Sequence, residues 1–221
     1  MISGEDNVNF FWYAKYCVRL WRIYPQRYRA FFQLINERKC RIFLEIGTNN
    51  GIRARQMIET ARIHHSLTSV QYWGVDLFED LTPDLLSAEY AIRPPSCMTV
   101  TRMLEKTGAF TKLFKGNSKE MLLRIRKEIG QVDFIFIDGG HSIETIQSDW
   151  DNCQHMMSKN TLVIFDDYFV QPSDPVKNVG CNQLVDRLDQ SEYAVSFLPI
   201  IDEFTKPWGI LRTQMVAVHR T

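Results

Sequence analysis

The sequence lacks the features that mark several classes of protein. Its 221 residues carry 26 Lys and Arg against 26 Asp and Glu, so no overall charge attracts it to nucleic acid or to an anionic membrane. The five cysteines are scattered and form no CxxC pair, which argues against a disulfide framework or a zinc site and favours reduced thiols. No uninterrupted apolar stretch of about 18 residues is present, so we expect no transmembrane helix.

The sequence also shows no secretory signal, internal repeat or low-complexity linker. Together with the unpaired cysteines, this favours a cytoplasmic protein. A length of 221 residues suits one domain with a sizeable buried core. We therefore expect a single domain, in which residues 1–40 form an N-terminal aromatic helical segment that packs on a core formed by residues 41–221.

The segment 10–32 (FFWYAKYCVRLWRIYPQRYRAFF) is unusually aromatic and is interrupted by five basic residues. One interpretation is a helix that packs on the core or on a second subunit, in which case the protein would be a homodimer. The other is an amphipathic helix that lies on a membrane surface, or a lid that touches an apolar ligand. The sequence leaves both interpretations open.

From residue 41 onward, short apolar runs alternate with amphipathic stretches, which is typical of a parallel sheet with crossover helices. The predicted strands are 41–46, 70–75, 112–115, 132–137 and 161–165, and the predicted helices are 53–63, 118–129, 142–157 and 182–188. Two last strand-like runs, 193–201 and 208–218, are too close for a helix between them, so they should pair as an antiparallel hairpin. The predicted fold is α/β: a Rossmann-like, doubly wound sheet of five parallel strands with a C-terminal antiparallel hairpin.

The first predicted strand runs into a loop, Glu45-Ile-Gly47-Thr-Asn-Asn-Gly51. Glycine lets the backbone approach a ligand closely, and the following helix N-terminus offers unpaired N–H groups. The dinucleotide motif GxGxxG would need glycine where Asn49 and Ile52 stand, which weakens a nicotinamide-cofactor interpretation. The loop therefore indicates either a nucleoside site or a tight structural turn.

Asp76 is the next polar residue at a strand end, in YWGVDLF. A carboxylate there can accept hydrogen bonds from both ribose hydroxyls of a nucleoside. A solvated loop aspartate is the alternative, but the glycine loop before it favours nucleoside binding.

Three further carboxylates follow predicted strands: Asp138 in DGGH, and the pair Asp166-Asp167. The carboxyl ends of parallel strands share one edge of the sheet, where ligands bind. Neighbouring carboxylates repel each other unless a cation lies among them, and oxygen ligands suit Mg²⁺. The alternative is that these residues cap helices or turns. His141, near Asp138, could accept a proton from a substrate hydroxyl or could be structural.

Together these residues resemble the class I S-adenosylmethionine-dependent methyltransferases, and in particular the family 24-like, macrocin-type metal-dependent O-methyltransferases. FLEIGTNNG is similar to the first cofactor motif, and VDFIFIDGGHSIETIQSDW with TLVIFDDY is the most specific match. The resemblance covers residues 41–170. It implies cofactor contacts from Glu45, Gly47, Thr48, Asn49, Gly51, Asp76, Leu77, Asn117, Ser118 and Asp138.

The resemblance further implies that Asp138, Asp166 and Asp167 bind Mg²⁺ and that Asp138 and His141 are catalytic. His141 stands where catechol-type relatives have a catalytic lysine, and Ile143 stands where relatives often have tyrosine. The implied reaction is methylation of a hydroxyl on a small molecule or sugar with adjacent hydroxyls. Residues 79–96 match nothing in these relatives, and we expect them, with Phe78 and Tyr168-Phe169, to form a lid.

Three alternatives remain at the level of the sequence. The first is a metal-independent methyltransferase of the same fold, in which the aspartates only order loops. The second is a protein that binds the nucleoside but has lost the chemistry. A nicotinamide-dependent oxidoreductase is the third, and the missing glycines disfavour it.

Overall fold

A mixed sheet of seven strands forms the centre of the chain in a computed structural model that describes residues 8–89, 92–173 and 176–221. The strands are β1 (Ile42–Ile46), β2 (Gln71–Asp76), β3 (Phe110–Lys115), β4 (Phe134–Ile137), β5 (Leu162–Phe169), β6 (Tyr193–Lys206) and β7 (Gly209–Arg220). Their order in the sheet is β3-β2-β1-β4-β5-β7-β6. The first five strands pair in parallel, whereas β7 pairs antiparallel with both β5 and β6. The predicted fold is confirmed.

The helices cover both faces of this sheet. They are α1 (Phe10–Arg22), α2 (Tyr28–Glu37), α3 (Ile52–Ala61), α4 (Pro83–Ala88), α5 (Cys97–Glu105), α6 (Ser118–Glu128), α7 (Ile143–Cys153) and α8 (Asn182–Val185). Apolar residues of α1, α2, α3 and α5 join one buried cluster, and those of α6, α7 and α8 join another on the opposite face. In the described residues, no helix is long and apolar enough to span a membrane.

Strand β4 shows why an almost wholly apolar run becomes a central strand. Its Phe134 and Phe136 pack in the cluster on the α2 side, and its Ile135 and Ile137 pack in the cluster on the α7 side. Successive side chains of a strand point to opposite faces, so a strand covered on both faces needs apolar residues at every position.

The N-terminal segment forms two helices rather than one. In α2, Phe31, Phe32 and Ile35 are completely buried, and the ring of Phe31 lies 4.7 Å from that of Phe136 in the sheet. α1 packs less deeply: Tyr16 is buried, but Phe10 and Trp21 are 80% and 74% exposed. The expected packing on the core is therefore clear for α2, while a second subunit or a membrane surface as partner of α1 stays a prediction.

Several regions differ from the sequence-based expectation. The stretch after β2 contains the helices α4 and α5, which were not predicted because their short amphipathic turns resemble a loop in sequence. The predicted helix 142–157 ends as α7 at Cys153 and continues as a 3₁₀ turn, Gln154–Met156. The strand β5 extends beyond its apolar run to Phe169, so Asp166 and Asp167 lie within the strand and not after it.

Candidate active site

A cavity of about 670 Å³ opens at the carboxyl ends of the parallel strands. Its wall is built from the loops that follow β1, β2, β3 and β4, from β5, and from the hairpin of β6 and β7. A volume of this size accommodates a drug-sized or nucleoside-sized ligand. The location is the one at which open α/β sheets bind ligands.

The first loop closes against the fourth strand so tightly that only glycine fits at position 47. Gly47 has φ +92°, and a Cβ atom there would lie 1.9 Å from the backbone oxygen of Asp138. The close approach brings the β1 and β4 loops together on one side of the cavity. The expected approach of Gly47 to a ligand stays a prediction.

Asp76 ends β2 and lines the cavity, as predicted. Its Oδ2 accepts a hydrogen bond from the Asn49 N–H at 2.7 Å, and its Oδ1 accepts one from the Phe78 N–H at 2.8 Å. Burial raises the pKa of Asp76, and these N–H donors oppose that shift. The carboxylate is thus held in place by its own loop, with further lone pairs available to a ligand.

The predicted cofactor residues divide into two groups. The residues that line the cavity are Gly47, Asn49, Asp76, Leu77, Asn117, Ser118 and Asp138. Glu45, Thr48 and Gly51 do not line it; Gly51 faces the side chains of Val100 and Met103 instead. Their part as direct cofactor contacts stays a prediction that the structure does not favour.

Glu45 is buried beneath the first loop. It accepts a very short hydrogen bond from the Tyr72 hydroxyl, whose oxygen is also 3.1 Å from the Thr48 hydroxyl. Burial raises the pKa of Glu45 to about 8. Glu45 and Thr48 therefore brace β1 against β2 from the core side.

A bulge in β5 places two adjacent aspartates at one site. The pairing of β5 with β7 shifts register between Phe165 and Tyr168, and Asp167 has φ +55°. In a regular strand, neighbouring side chains point to opposite faces, whereas a bulge re-aims them. Both Asp166 and Asp167 consequently line the cavity.

Asp166 is bound by an arginine that the sequence did not single out. Arg27 Nε and Nη2 donate to the two oxygens of Asp166 at 2.6 and 2.8 Å. Arg27 Nη1 donates to Asp202 in β6 at 3.3 Å, and the backbone N–H groups of Gln26 and Arg27 donate to the same carboxylate. Burial would lower the pKa of Arg27, but the Asp166 carboxylate raises it, so the guanidinium is charged.

His141 is paired with Asp167. Its Nε2 lies 2.8 Å from Asp167 Oδ2, and its Nδ1 donates to the backbone oxygen of Glu89 at 2.5 Å. Burial lowers the pKa of His141, but the hydrogen bond and charge of Asp167 outweigh it and raise the pKa to about 9. The same pair lowers the pKa of Asp167 despite its burial.

The loop that carries His141 is held by Glu89, from the segment expected to form a lid. The Glu89 carboxylate accepts hydrogen bonds from the Ser142 N–H at 2.7 Å, the Ser142 hydroxyl at 2.9 Å and the Thr145 hydroxyl at 2.8 Å. Ser142 is also the N-cap of α7, as predicted. A carboxylate at a helix N-terminus is stabilised by the helix dipole.

In the part of the chain that the structure describes, Asp138 forms no direct ion pair, although His141 and Arg27 lie near it. Its Oδ2 lies 3.3 Å from the Tyr28 hydroxyl, which is also 3.3 Å from Asp166 Oδ2. Burial and then the charges of Asp166 and Asp167 raise the pKa of Asp138 well above its usual value. A positively charged ligand nearby would lower that pKa and favour the ionised carboxylate.

The predicted site of three carboxylates for magnesium does not fit this arrangement, because Arg27 engages both oxygens of Asp166. A different set could share a metal ion: Asp138, His141 and Asp167. Each offers one ligand atom, and these three atoms lie within 4.8 Å of one another in the described residues. In the structure, however, both ring nitrogens of His141 already have hydrogen-bond partners.

The hairpin supplies the wall opposite the cofactor loops. Phe204 and Lys206 of β6 line the cavity together with Leu211 and Thr213 of β7. The sequence predicted the hairpin but ended its first strand at residue 201, and so missed these contributions. Arg27 and Tyr28 were also missed, because an arginine in an aromatic segment carries no local sign of its distant partner.

The sheet order, with five parallel strands and a terminal antiparallel hairpin, is that of the class I S-adenosylmethionine-dependent methyltransferases. The chain belongs to a methyltransferase-domain family, family 24, whose model matches residues 44–168. No curated protein matches the chain.

Solved structures share the fold over nearly the whole chain. An O-methyltransferase from Bacillus cereus in complex with S-adenosylhomocysteine is 16% identical, with a TM-score of 0.58, and 99% of this chain and 93% of that one are covered. The O-methyltransferase TomG from Streptomyces achromogenes, involved in tomaymycin synthesis and solved with S-adenosylmethionine, is 15% identical with a TM-score of 0.58 and coverage of 99% and 92%. An rRNA methylase from Streptococcus thermophilus is 10% identical with a TM-score of 0.61 and coverage of 90% and 98%.

Proposed function

We propose that the chain transfers the methyl group of S-adenosylmethionine to a hydroxyl oxygen of a small molecule or sugar. The observation that carries the proposal is a single cavity that joins a nucleoside-type end at Asp76 to a proton-accepting end at His141 and Asp167. Two neighbours of the same fold are O-methyltransferases by name, which supports oxygen as the acceptor atom.

The cofactor end of the cavity is formed by Asp76, Leu77, Asn117 and Ser118. Asp76 would accept hydrogen bonds from the ribose hydroxyls, and Asn117 and Ser118, at the start of α6, would contact adenine. Bound S-adenosylmethionine supplies an electrophilic methyl group on a positively charged sulfonium. That charge would favour the ionised form of Asp138, whose pKa is raised without it.

At the other end, His141 would have to be neutral, and the acceptor hydroxyl would have to displace Asp167 from Nε2. Nε2 would then take the proton of that hydroxyl. The Nδ1–H of His141 is held by the Glu89 carbonyl, which fixes the ring orientation, and Asp167 stabilises the imidazolium that forms. The positive charge of a bound cofactor favours the neutral imidazole before the reaction. The acceptor oxygen then bonds to the methyl carbon as the carbon–sulfur bond breaks, which leaves a methyl ether and a neutral thioether.

Magnesium dependence stays a prediction, and no step of this mechanism depends on a metal. The expectation that the acceptor has adjacent hydroxyls also stays a prediction, because it was inferred from chelation of magnesium. What supports a small acceptor is the enclosed wall of Phe204, Leu211 and Thr213 around the site. The zero net charge of the chain does not favour a nucleic-acid substrate.

A two-part experiment tests the proposal. In calorimetry with S-adenosylhomocysteine, Asp76→Asn should weaken binding by about 10-fold or more, because charge-assisted hydrogen bonds contribute about 1.5–3 kcal/mol. Asp151→Asn, on the exposed side of α7, should bind as the wild type does. Then His141→Gln should retain binding but lose S-adenosylhomocysteine release with a panel of hydroxylated small molecules and sugars.

Each alternative has its own outcome. Binding of S-adenosylhomocysteine without turnover on any hydroxylated acceptor, and without an effect of His141→Gln, would indicate a nucleoside-binding protein that lacks the chemistry. Greater thermal stabilisation by NAD than by S-adenosylhomocysteine would instead indicate a nicotinamide-dependent enzyme and would overturn the proposal.

A further inference from the structure

The position of Arg27 bears on how the negative charge of the site is balanced. Arg27 lines the cavity but is only 7% exposed. It comes from the turn between α1 and α2, and it meets an aspartate 139 residues later in the chain. Its guanidinium is therefore the fixed cation beside the three acidic residues to which sequence reasoning assigned a metal.

Arg27 is held in this position from two sides. The fork of Nε and Nη2 engages both oxygens of Asp166, which is the strong bidentate geometry of arginine with a carboxylate. On the other side Asp202 binds Nη1 and also the backbone N–H groups of residues 26 and 27. Moving Arg27 away would remove two charge-assisted hydrogen bonds from the buried carboxylate of Asp166 and one from that of Asp202. Breaking a buried ion pair in this way is strongly unfavourable.

The guanidinium of Arg27, a residue that lines the cavity, also retains hydrogen-bonding capacity. A guanidinium has five N–H groups, and the bonds to Asp166 and Asp202 use three of them. Two N–H groups therefore remain for another oxygen. Positively charged donors aimed at a developing negative charge are an effective means of stabilising it.

We propose that Arg27 takes the place of a divalent metal ion in the acceptor site. Its guanidinium neutralises Asp166 and donates the remaining N–H groups to the acceptor oxygen as that oxygen loses its proton to His141. The oxygen then attacks the methyl carbon, and the electron pair of the broken bond stays on sulfur. Methyl transfer consequently needs no added metal ion. The inference rests on the proposed function.

The first test is direct titration of the wild-type protein with Mn²⁺. The electron paramagnetic resonance signal of free Mn²⁺ measures how much of the ion stays unbound. The titration is done with saturating S-adenosylhomocysteine. The binding of S-adenosylhomocysteine is measured separately, and its failure would count against the proposed function and not against the role of Arg27. We expect no Mn²⁺ site tighter than about 1 mM, the weak limit for protein oxygen sites. A 1:1 site of micromolar affinity would overturn the inference while leaving methyl transfer intact.

The second test removes the guanidinium. Arg27→Ala frees Asp166 beside Asp138 and Asp167, so Mn²⁺ affinity should rise by about 10-fold or more, because affinity follows the number of charged ligands. The double variant Arg27→Ala with Asp166→Asn should lose that gain. Arg53→Ala is the matched control, since this guanidinium stacks 3.7 Å from the Tyr28 ring and has no recorded bond to the three aspartates in the described residues. If the affinity of Arg27→Ala does not rise, the inference is wrong; if that variant does not fold, the wild-type titration decides.

A kinetic readout separates this role from a purely structural one. Once an acceptor has been identified, EDTA should leave the turnover of the wild-type protein unchanged. Arg27→Lys keeps the positive charge but not the fork, so kcat should fall by about 100-fold, as for loss of one oxyanion donor, while the KM for S-adenosylmethionine stays within about twofold. Equal losses in cofactor binding and in kcat would show that Arg27 is only structural.

Discussion

The buried carboxyl of Glu45 illustrates how one residue can make the first loop of the site sensitive to pH. Glu45 is enclosed beneath that loop, with the Tyr72 hydroxyl as its hydrogen-bond donor. Burial raises its pKa to about 8, from an ordinary value of 4.5. In the folded protein, therefore, the neutral carboxyl is favoured across the neutral range.

The sign of the effect on stability follows from proton linkage. Because the folded state holds the proton more tightly than the unfolded state, the contribution of Glu45 is complete below about pH 4.5 and is lost as the pH rises through 8. We expect the melting temperature of the wild type to fall between pH 6 and about 9. Glu45→Gln cannot ionise, so its melting temperature should fall less over the same range.

Scanning calorimetry of both proteins at several pH values measures this difference. Asp149 and His141, whose pKa values are raised to about 7 and about 9, contribute in the same direction in both proteins and cancel in the comparison. Parallel pH curves for the wild type and Glu45→Gln would contradict the assignment of a raised pKa to Glu45.

At the scale of the element, Arg19 makes three hydrogen bonds from α1 to α3, and Lys15 adds a longer ion pair with Glu59 at 3.9 Å. Arg19 Nη1 donates to the Gln56 carbonyl at 2.7 Å and to the Thr60 hydroxyl at 2.9 Å, and its Nη2 donates to Glu59 at 2.8 Å. α3 begins directly after Gly51 in the cofactor loop. The contact therefore ties an otherwise weakly packed helix to an element that shapes the cavity.

We expect Arg19→Ala to lower the free energy of unfolding by about 1–3 kcal/mol, because Glu59 loses its nearest cation and two partly buried oxygens each lose one donor. Arg22→Ala, three residues later on the exposed end of α1, should change it by less than about 0.5 kcal/mol. Urea unfolding of the three proteins gives both values. A similar loss for both arginines would mean that α1 is held by general charge and not by this contact.

The strands β5 and β6 are both longer than their apolar sequence patterns predict. Each extends past the apolar run that identified it in sequence: β5 continues to Phe169 and β6 to Lys206. These extensions carry Asp166, Asp167 and Phe204 into the wall of the cavity. Polar residues can lie in a strand when one face of that strand borders a ligand site, and the apolar pattern then breaks at the functional position.

At the scale of the whole molecule, the N-terminal segment is part of the main core. Phe31 contacts the rings of Phe134 and Phe136 at 5.1 and 4.7 Å, and Arg27 joins the same segment to β5 and β6. Elements that pack into one buried cluster unfold as a cooperative unit, and α1 and α2 share such a cluster with β1 and β4. We therefore expect residues 8–40 and the sheet to unfold together.

Phe31→Ala tests this cooperativity. It should lower the free energy of unfolding by about 3–5 kcal/mol, as expected for a fully buried phenylalanine. The transitions followed by far-UV circular dichroism and by tryptophan fluorescence should still coincide. Phe10→Ala, at a position that is 80% exposed, should change stability by less than about 0.5 kcal/mol. Separate transitions for the two probes would mean that the N-terminal segment melts on its own.

The amino-acid sequence by itself determined the parallel sheet, the terminal hairpin, and the placement of Asp76 and Asp138 at strand ends. These features depend on local patterns: runs of apolar residues, glycine at a tight turn, and the shared edge of parallel strands. The helices α4 and α5 lack such a strong pattern and were missed. The same limit applies to Glu89, which acts on a loop about 50 residues away in the chain.

Only the tertiary structure decided what each acidic residue contacts. The partner of Asp166 is Arg27, from the opposite end of the chain, and Asp167 turns toward His141 because of a bulge in β5. A carboxylate looks the same in sequence whether its counter-ion is a metal or an arginine, since both supply positive charge at short range. The choice between them depends on which distant side chain packing brings within hydrogen-bonding distance, and that is a property of the folded chain.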